Sequence, residues 1–369
     1  MSTPNVPLFE LTTQYQLLRP EIEAAVIKVL ESQQFTGGWA VESFEQKLGA
    51  LHGAHAVAIS SGTDALLAAL MALGIGAGAE VITTPFTFFA TAGTIARTGA
   101  KPVFVDIDPD TFLINLPAVA AAITPATGAI MPVHLFGQMV NALKLAEIAC
   151  RHNLPVIEDS AQSIGALDAT GAVMGTHSRC AALSFYPTKN LGAYGDGGAL
   201  ITRDATLAAR FKQTRQHGET SRYHHEFVGG NFRLDAIQCA ILEVKLKYLD
   251  QWNNRRRAIG AYYNQRFAGS AVIAPVTAPG NHHVYHQYVI RAPKRDALRD
   301  HLTKHGVGCN IYYPRSLHLQ ECFANLGYKP GQFPHTEQAC AEVLALPIYP
   351  ELTDAQITRV ADTVLAFYQ

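Results

Sequence analysis

The chain is short of charge, short of cysteine and free of long apolar runs, and each shortage excludes a class of protein. Charged residues make up only 16% of its 369 positions and the net charge is -1. No basic field therefore favours a nucleic acid or an anionic membrane. No apolar stretch is long enough to cross a bilayer. The N-terminus lacks a basic segment followed by an apolar one, so no secretory signal is expected. Six cysteines, Cys150, Cys180, Cys239, Cys309, Cys322 and Cys340, are scattered without a CxxC pair. That argues against a structural zinc site and against a disulfide framework, and makes a reducing cytoplasm the expected location. No internal repeat or low-complexity tract is visible. What the chain does have is 48% hydrophobic residues over a length that suits two domains and a substantial core.

The order of apolar runs predicts the architecture. After an irregular opening, VPLFELTTQYQLLRP, a helix is expected from Pro20 to Ser32, with Pro in its first turn and Ile22, Val26, Val29 and Leu30 on one face. Gly37-Gly38 marks a turn before a second helix, Val41 to Leu51. Short apolar strands then alternate with helices: HAVAIS before SGTDALLAALMALGI, EVITTP before FTFFATAGTIART, then PVFVDI, AIMPVHL, LKLAEIACRHN and LPVIED. This rhythm predicts an α/β layer with helices flanking a mostly parallel central sheet. Past Phe211 the rhythm gives way to RLDAIQCAILEVKLKYLDQWNNRRRAIGAYYNQRF, read as one long helix leaving the large domain. The strand QYVIR and the helices RDALRDHLTKH and TDAQITRVADTVLAFY follow. The expected division is a large α/β domain over 1–245 and a smaller α+β domain over 246–369.

One stretch carries the chemistry: SFYPTKNLGAYGDGGA, from Ser184 to Ala199. Lys189 sits there between two strand-like runs, among Gly192, Gly195, Gly197 and Gly198. Those glycines are expected to take positive φ and to pack closely against a flat ligand. A lysine buried there is desolvated, which disfavours its charged form and makes it a usable nucleophile. Most lysines are solvated at the surface, so other residues must support the assignment. Ser61-Gly62-Thr63-Asp64 stands where a strand meets a helix. There free backbone N–H groups and the helix dipole suit a phosphate, although the same residues serve as an ordinary N-cap. Asp159 ends an apolar strand, where a carboxylate is costly unless a cation pairs with it. Gln162 follows three residues later. Asn231 and Arg233 form a polar knot ahead of the long helix. Taken singly, capping explains each of these. Taken together they are the parts that hold pyridoxal 5'-phosphate: a lysine for the Schiff base, a carboxylate for the pyridinium nitrogen, a helix N-terminus for the phosphate, and an aromatic such as Phe88 to stack on the ring.

The chain resembles the DegT/StrS family of sugar aminotransferases, a fold-type I pyridoxal-phosphate group. The resemblance runs through SGTDAL, TPFTFFATA, PVHLFGQ, PVIEDSAQSIGA, SFYPTKNLGAYGDGGA, GNFRLDAIQCAIL and IYYPRSLHLQ. It implies Lys189 as the Schiff-base lysine and Asp159 as the partner of the pyridine nitrogen. Gln162 is implied beside the ring, Phe88 stacked on it, and Gly62, Thr63 and Ser184 around the phosphate. Asn231 is implied to reach the phosphate of a neighbouring subunit, and hence a homodimer with shared sites. The family's dehydratase branch has histidine in place of the lysine, which this chain retains. The implied reaction takes an amino group from L-glutamate to a keto-sugar linked to a nucleoside diphosphate. YPTKNLGAYGDGG resembles the branch acting at carbon 3, with carbon 4 as the alternative and both UDP and dTDP sugars open. Tyr313, Arg315, His318 and His217 are candidates for substrate contact, with Ser316 standing where many relatives have proline.

Other signals are read more plainly. Adjacent His224 and His225 would face opposite ways in a strand. His282, His283 and His286 lack a carboxylate or cysteine at ligand spacing and read as a surface or interface cluster, so no metal is expected. GIGAGAE, from Gly74 to Glu80, follows a helix and so fails the context test for a dinucleotide fingerprint. A non-catalytic pyridoxal-binding regulator is the remaining rival. It would be expected to carry an added basic module, which this chain lacks.

Overall fold

The computed structural model describes residues 5–369. The Glu10 carboxylate accepts the backbone N–H groups of Thr12 and Thr13, and this cap starts α1 (Thr12–Ser32) well ahead of Pro20. Pro20 therefore lies inside the helix instead of opening it, and the expected irregular segment is largely helical. Leu18, Ile22 and Val29 bury the inner face, whereas Leu30 is 44% exposed. Gly37 and Gly38 both take positive φ and turn the chain into α2 (Gly38–His52).

The α/β layer follows in order: β1 (His55–Ile59), α3 (Gly62–Ala72), β2 (Glu80–Thr83), α4 (Ala90–Arg97), β3 (Lys101–Phe104), α5 (Leu116–Ala122), β4 (Thr127–Ile130), α6 (Ala142–Arg151), β5 (Ile157–Asp159), β6 (Cys180–Ser184) and β7 (Gly198–Thr202). Pairing runs β1-β7-β6-β5 in one group and β3-β2-β4 in the other. Parallel bridges Ile130 to Val156 and Val133 to Asp159 carry it across the gap. The strand order is thus β1-β7-β6-β5-β4-β2-β3. Only β7 runs against its neighbours, so the sheet is mostly parallel, as the alternation predicts. Its strands are apolar on both faces because helices cover both. Consequently β1, β5 and β6 end at one edge, where ligands bind in open α/β sheets.

Beyond β7 come α7 (Ala205–Arg215) and a short hairpin of β8 (Glu219–Ser221) and β9 (His224–His225). The predicted single long helix is two, α8 (Ala236–Leu246) and α9 (Leu249–Phe267). The break is a tight i→i−3 turn, with Tyr248 N–H donating to Lys245 O at 3.0 Å. Tertiary packing decides it: α8 packs on α1 and α2, while α9 heads for a separate core. That core gathers Ile259, Tyr263 and Phe267 of α9 with residues of β10 (Tyr288–Arg291), α10 (Arg295–Lys304), β11 (Val343–Leu346) and α12 (Asp354–Ala366). Between α10 and β11 lies α11 (Pro334–Glu342). Among the described residues no helix is long and apolar enough to cross a membrane.

Candidate active site

A cavity of about 510 Å³ opens at the sheet edge where β1, β5 and β6 end. Lys189 reaches it from the loop between β6 and β7. That loop is pinned by backbone bonds, Phe185 N–H to Gly197 O and Ala193 N–H to Phe185 O, both 2.7 Å. The buried Lys245 ammonium donates to Gly192 O from α8. The glycines act differently from expectation, since none of Gly192, Gly195, Gly197 and Gly198 has a positive φ. Close approach within the protein requires them. A Cβ on Gly192 would lie 2.2 Å from Pro187 O, and one on Gly198 2.5 Å from the carbonyl carbon of Ser61. Dense packing around the ε-amine lowers the pKa of Lys189 from 10.5 to about 8, although the Asp159 charge works the other way. The part of Lys189 that stays open faces the cavity.

Asp159, at the end of β5, is buried, and that burial raises its carboxyl above the ordinary range. Two hydrogen bonds oppose the rise: Thr91 Oγ1 donates to Oδ2 at 2.7 Å, and Ala161 N–H to Oδ1 at 3.2 Å. Within the chain Asp159 thus rests on a hydroxyl and an amide. No direct ion pair with a protein cation forms among the described residues.

At the start of α3, Ser61 Oγ accepts the Asp64 N–H at 3.0 Å, so the ordinary cap is present. The N–H groups of Gly62 and Thr63 keep no acceptor among the described residues and stand at the cavity wall. A Cβ on Gly62 would lie 2.6 Å from Ser184 Cβ, so only glycine lets these two walls meet. Gln162 is held in a fixed sense: its Oε1 accepts from Phe136 N–H at 2.6 Å, and its Nε2 donates to Tyr313 OH at 3.1 Å. Phe88 is 58% exposed at the rim, its ring 6.5 Å from that of Tyr313.

The structure thus brings Gly62, Thr63, Phe88, Asp159, Gln162, Ser184, Lys189 and Tyr313 to one cavity. It places four other candidates elsewhere. Arg315 pairs with Glu321 at the surface, 2.8 Å away. His318 is buried, in contact with Ser316 Oγ and 4.7 Å edge-on from the Phe333 ring. His217 and Asn231 are exposed outside this chain's own cavity. His224 and His225 make different contacts, with Thr220 Oγ1 and with His217 O. The surface reading of the NHHVYH cluster is corrected: His283 and His286 are buried, and His286 lines the cavity. Sequence reasoning also passed over Tyr186, Gln287 and Tyr312 in the wall. Tyr186 and Tyr312 lie within stretches already singled out, whereas His286 and Gln287 arrive only through tertiary packing.

Two free amides at a helix start, a buried carboxylate and a desolvated lysine line one cavity, and these residues fit pyridoxal 5'-phosphate, the cofactor of the aminotransferase class that the fold defines. The chain belongs to the DegT/DnrJ/EryC1/StrS aminotransferase family, whose pattern matches residues 16–365. It is similar to a "Pleiotropic regulatory protein" of Geobacillus stearothermophilus, 49% identical over 99% of both chains. It is also similar to the dTDP-3-amino-3,4,6-trideoxy-alpha-D-glucose transaminase of Streptomyces venezuelae, 42% identical over 98% of this chain and 96% of the other. A crystal structure of S. venezuelae DesV in complex with a ketimine intermediate superposes with a TM-score of 0.97 at 41% identity, covering 100% of this chain and 99% of that one. The fold is that of the fold-type I pyridoxal-phosphate aminotransferases.

Proposed function

We propose that this aminotransferase moves an amino group from L-glutamate to carbon 3 of a keto-sugar linked to a nucleoside diphosphate, working as a homodimer in the cytoplasm. The convergence of Lys189 and Asp159 on one cavity carries the reading. When bound, pyridoxal 5'-phosphate supplies an aldehyde carbon for the amino group and an electron-poor ring. Lys189 Nζ bonds the cofactor and, once free, takes and returns a proton at the substrate carbon. Its pKa near 8 leaves an appreciable fraction of neutral amine near neutral pH. Asp159 holds a proton at the ring nitrogen, and the amides of Gly62 and Thr63, with Ser184, take the phosphate. Gln162 and Tyr313 brace the opposite wall.

Two exposed features support the dimer. Asn231 lies exposed outside its own cavity, beside the hairpin of β8 and β9, and so is free to serve another subunit's phosphate. On α1, Leu17 and Ile27 are 71% and 51% exposed, an apolar face suited to a second copy. A division near 245/246 agrees with the separate core gathered by α9. The regulator reading draws on the name of the Geobacillus relative; a protein that only binds the cofactor uses the same lysine and carboxylate, so turnover with an amino donor separates the two readings. Incubating the protein with glutamate and a panel of 3-keto and 4-keto nucleotide sugars, and weighing the products, tests the proposal. Amination of the 3-keto sugars alone is expected. Product from 4-keto sugars only, or no spectral response of the bound cofactor to any amino donor, refutes it.

A further inference from the structure

Ser316 and His318 lie outside the cavity, yet their contacts form a chain that leads to its wall. The Ser316 hydroxyl touches His318 Nδ1, and His318 Nε2 lies 3.3 Å from Glu337 Oε1 on α11. Glu337 also accepts the Gly331 N–H, at 2.7 and 2.9 Å. Ser316 and His318 are both buried. Burial holds the imidazole neutral, although Glu337 and Asp106 pull the other way. An ionised carboxylate only accepts, so the ring proton belongs on Nε2 and Nδ1 is bare. Ser316 therefore donates its hydroxyl proton to Nδ1. Its other neighbour, Pro85 O, stands 3.5 Å away, at the far limit of a hydrogen bond.

The same stretch is tied to the large domain. Leu317 N–H donates to Pro85 O at 2.9 Å, and Phe104 N–H to Tyr328 OH at 3.1 Å. Thr336 N–H and Oγ1 donate to Asp106 Oδ1 at 2.9 and 2.8 Å. Leu317, Phe323 and Phe333 share an apolar cluster with Ala92 and Phe104. Just before Ser316 the chain supplies Tyr312 and Tyr313 to the cavity wall, and just after Pro85 it supplies Thr87 and Phe88. The rings of Tyr313 and Phe88, 6.5 Å apart, thus stand on the two segments that the Leu317 bond joins.

We propose that Ser316 and His318 are positioning residues: their hydrogen-bond chain to Glu337 holds the Tyr312–Tyr313 wall at a fixed distance from Phe88 and so sets the width of the cavity mouth that admits the sugar. Lys189 and Asp159 stand on other elements, the loop after β6 and the end of β5. Loss of the chain therefore bears on the large nucleotide sugar at the mouth more than on a small amino donor.

The proposal deepens the reading of the substrate as a nucleotide-linked keto-sugar and rests on it, so one arm of its test needs no substrate. Hydrogen–deuterium exchange of the full chain is followed by mass spectrometry over residues 311–320 in Ser316→Ala, His318→Phe and the double variant. Each single change is expected to speed exchange there about tenfold, because a buried hydrogen bond is lost. The double variant is expected to exchange no faster than the quicker single one, since a chain broken twice loses little more than a chain broken once. ¹⁵N-histidine spectra of the unmutated protein are expected to show the Nε2–H tautomer at His318. With the keto-sugar that the unmutated enzyme aminates, Ser316→Ala is expected to raise the sugar KM about fivefold while the KM for glutamate stays within about twofold. Unchanged exchange, additive effects in the double variant, an Nδ1–H tautomer, or an equal rise in both KM values overturns the proposal. No amination of any keto-sugar by the unmutated protein would instead overturn the reading of the substrate, and exchange and tautomer would then judge the hydrogen-bond chain.

Discussion

Replacing Lys189 by methionine should make the cofactor-free chain more stable, and by an amount that depends on pH. In the folded chain packing lowers the lysine from 10.5 to about 8. Below pH 8 the lysine is protonated both folded and unfolded, so folding buries a charge and the full penalty applies. Between pH 8 and 10.5 the unfolded chain binds more protons than the folded one, so stability rises with pH. Above 10.5 both forms are neutral and the penalty is gone. The size follows from the two pKa values, about 3 kcal/mol. Methionine has a similar length and no charge, so the variant escapes this penalty at every pH. Urea unfolding of the two cofactor-free proteins from pH 7 to 10.5 should therefore show the variant ahead by about 3 kcal/mol at pH 7 and the gap closing by pH 10.5. Other groups that titrate in this range, Lys245 among them, are common to both proteins and cancel. A gap that stays constant with pH would show that Lys189 is solvated and would remove the physical basis of its nucleophilicity. The same variant should lose the visible absorbance of covalently held cofactor.

The other predictions concern the groups around that amine. Asp159→Asn should cost about 100-fold or more in turnover, because nothing then holds a proton at the ring nitrogen; turnover within a few fold of the original would remove Asp159 from that role. Thr91→Val deletes the donor to Asp159 Oδ2 and should raise an already elevated carboxyl by about one pH unit. Since Asp159 must be ionised, the acid limb of the activity profile should move to higher pH, and a limb that stays in place refutes the coupling. Gly62→Ala drives a methyl into Ser184 and should weaken cofactor binding about tenfold or more, read by fluorescence titration, with the rest of the fold kept.

The amino-acid sequence alone determined the alternation of strands and helices, because apolar spacing reports which faces must leave water. It also pointed to the helix start at Gly62, the strand end at Asp159 and the lysine stretch, since each is a local pattern with its own chemistry. Local rules misplaced the start of α1, where the Glu10 cap outweighs the proline signal, and missed the break between α8 and α9, which different packing partners impose. They also assigned the glycines after Lys189 to positive φ, when the need for them comes from backbone on the facing segments. Only the tertiary structure decided that His286 is buried in the wall of the Lys189 cavity while His318 packs against Phe333, and that Asn231 lies outside its own cavity. Residue type and spacing say what a side chain is able to do. Which others it meets depends on contacts between segments far apart in the chain, and no local pattern encodes those.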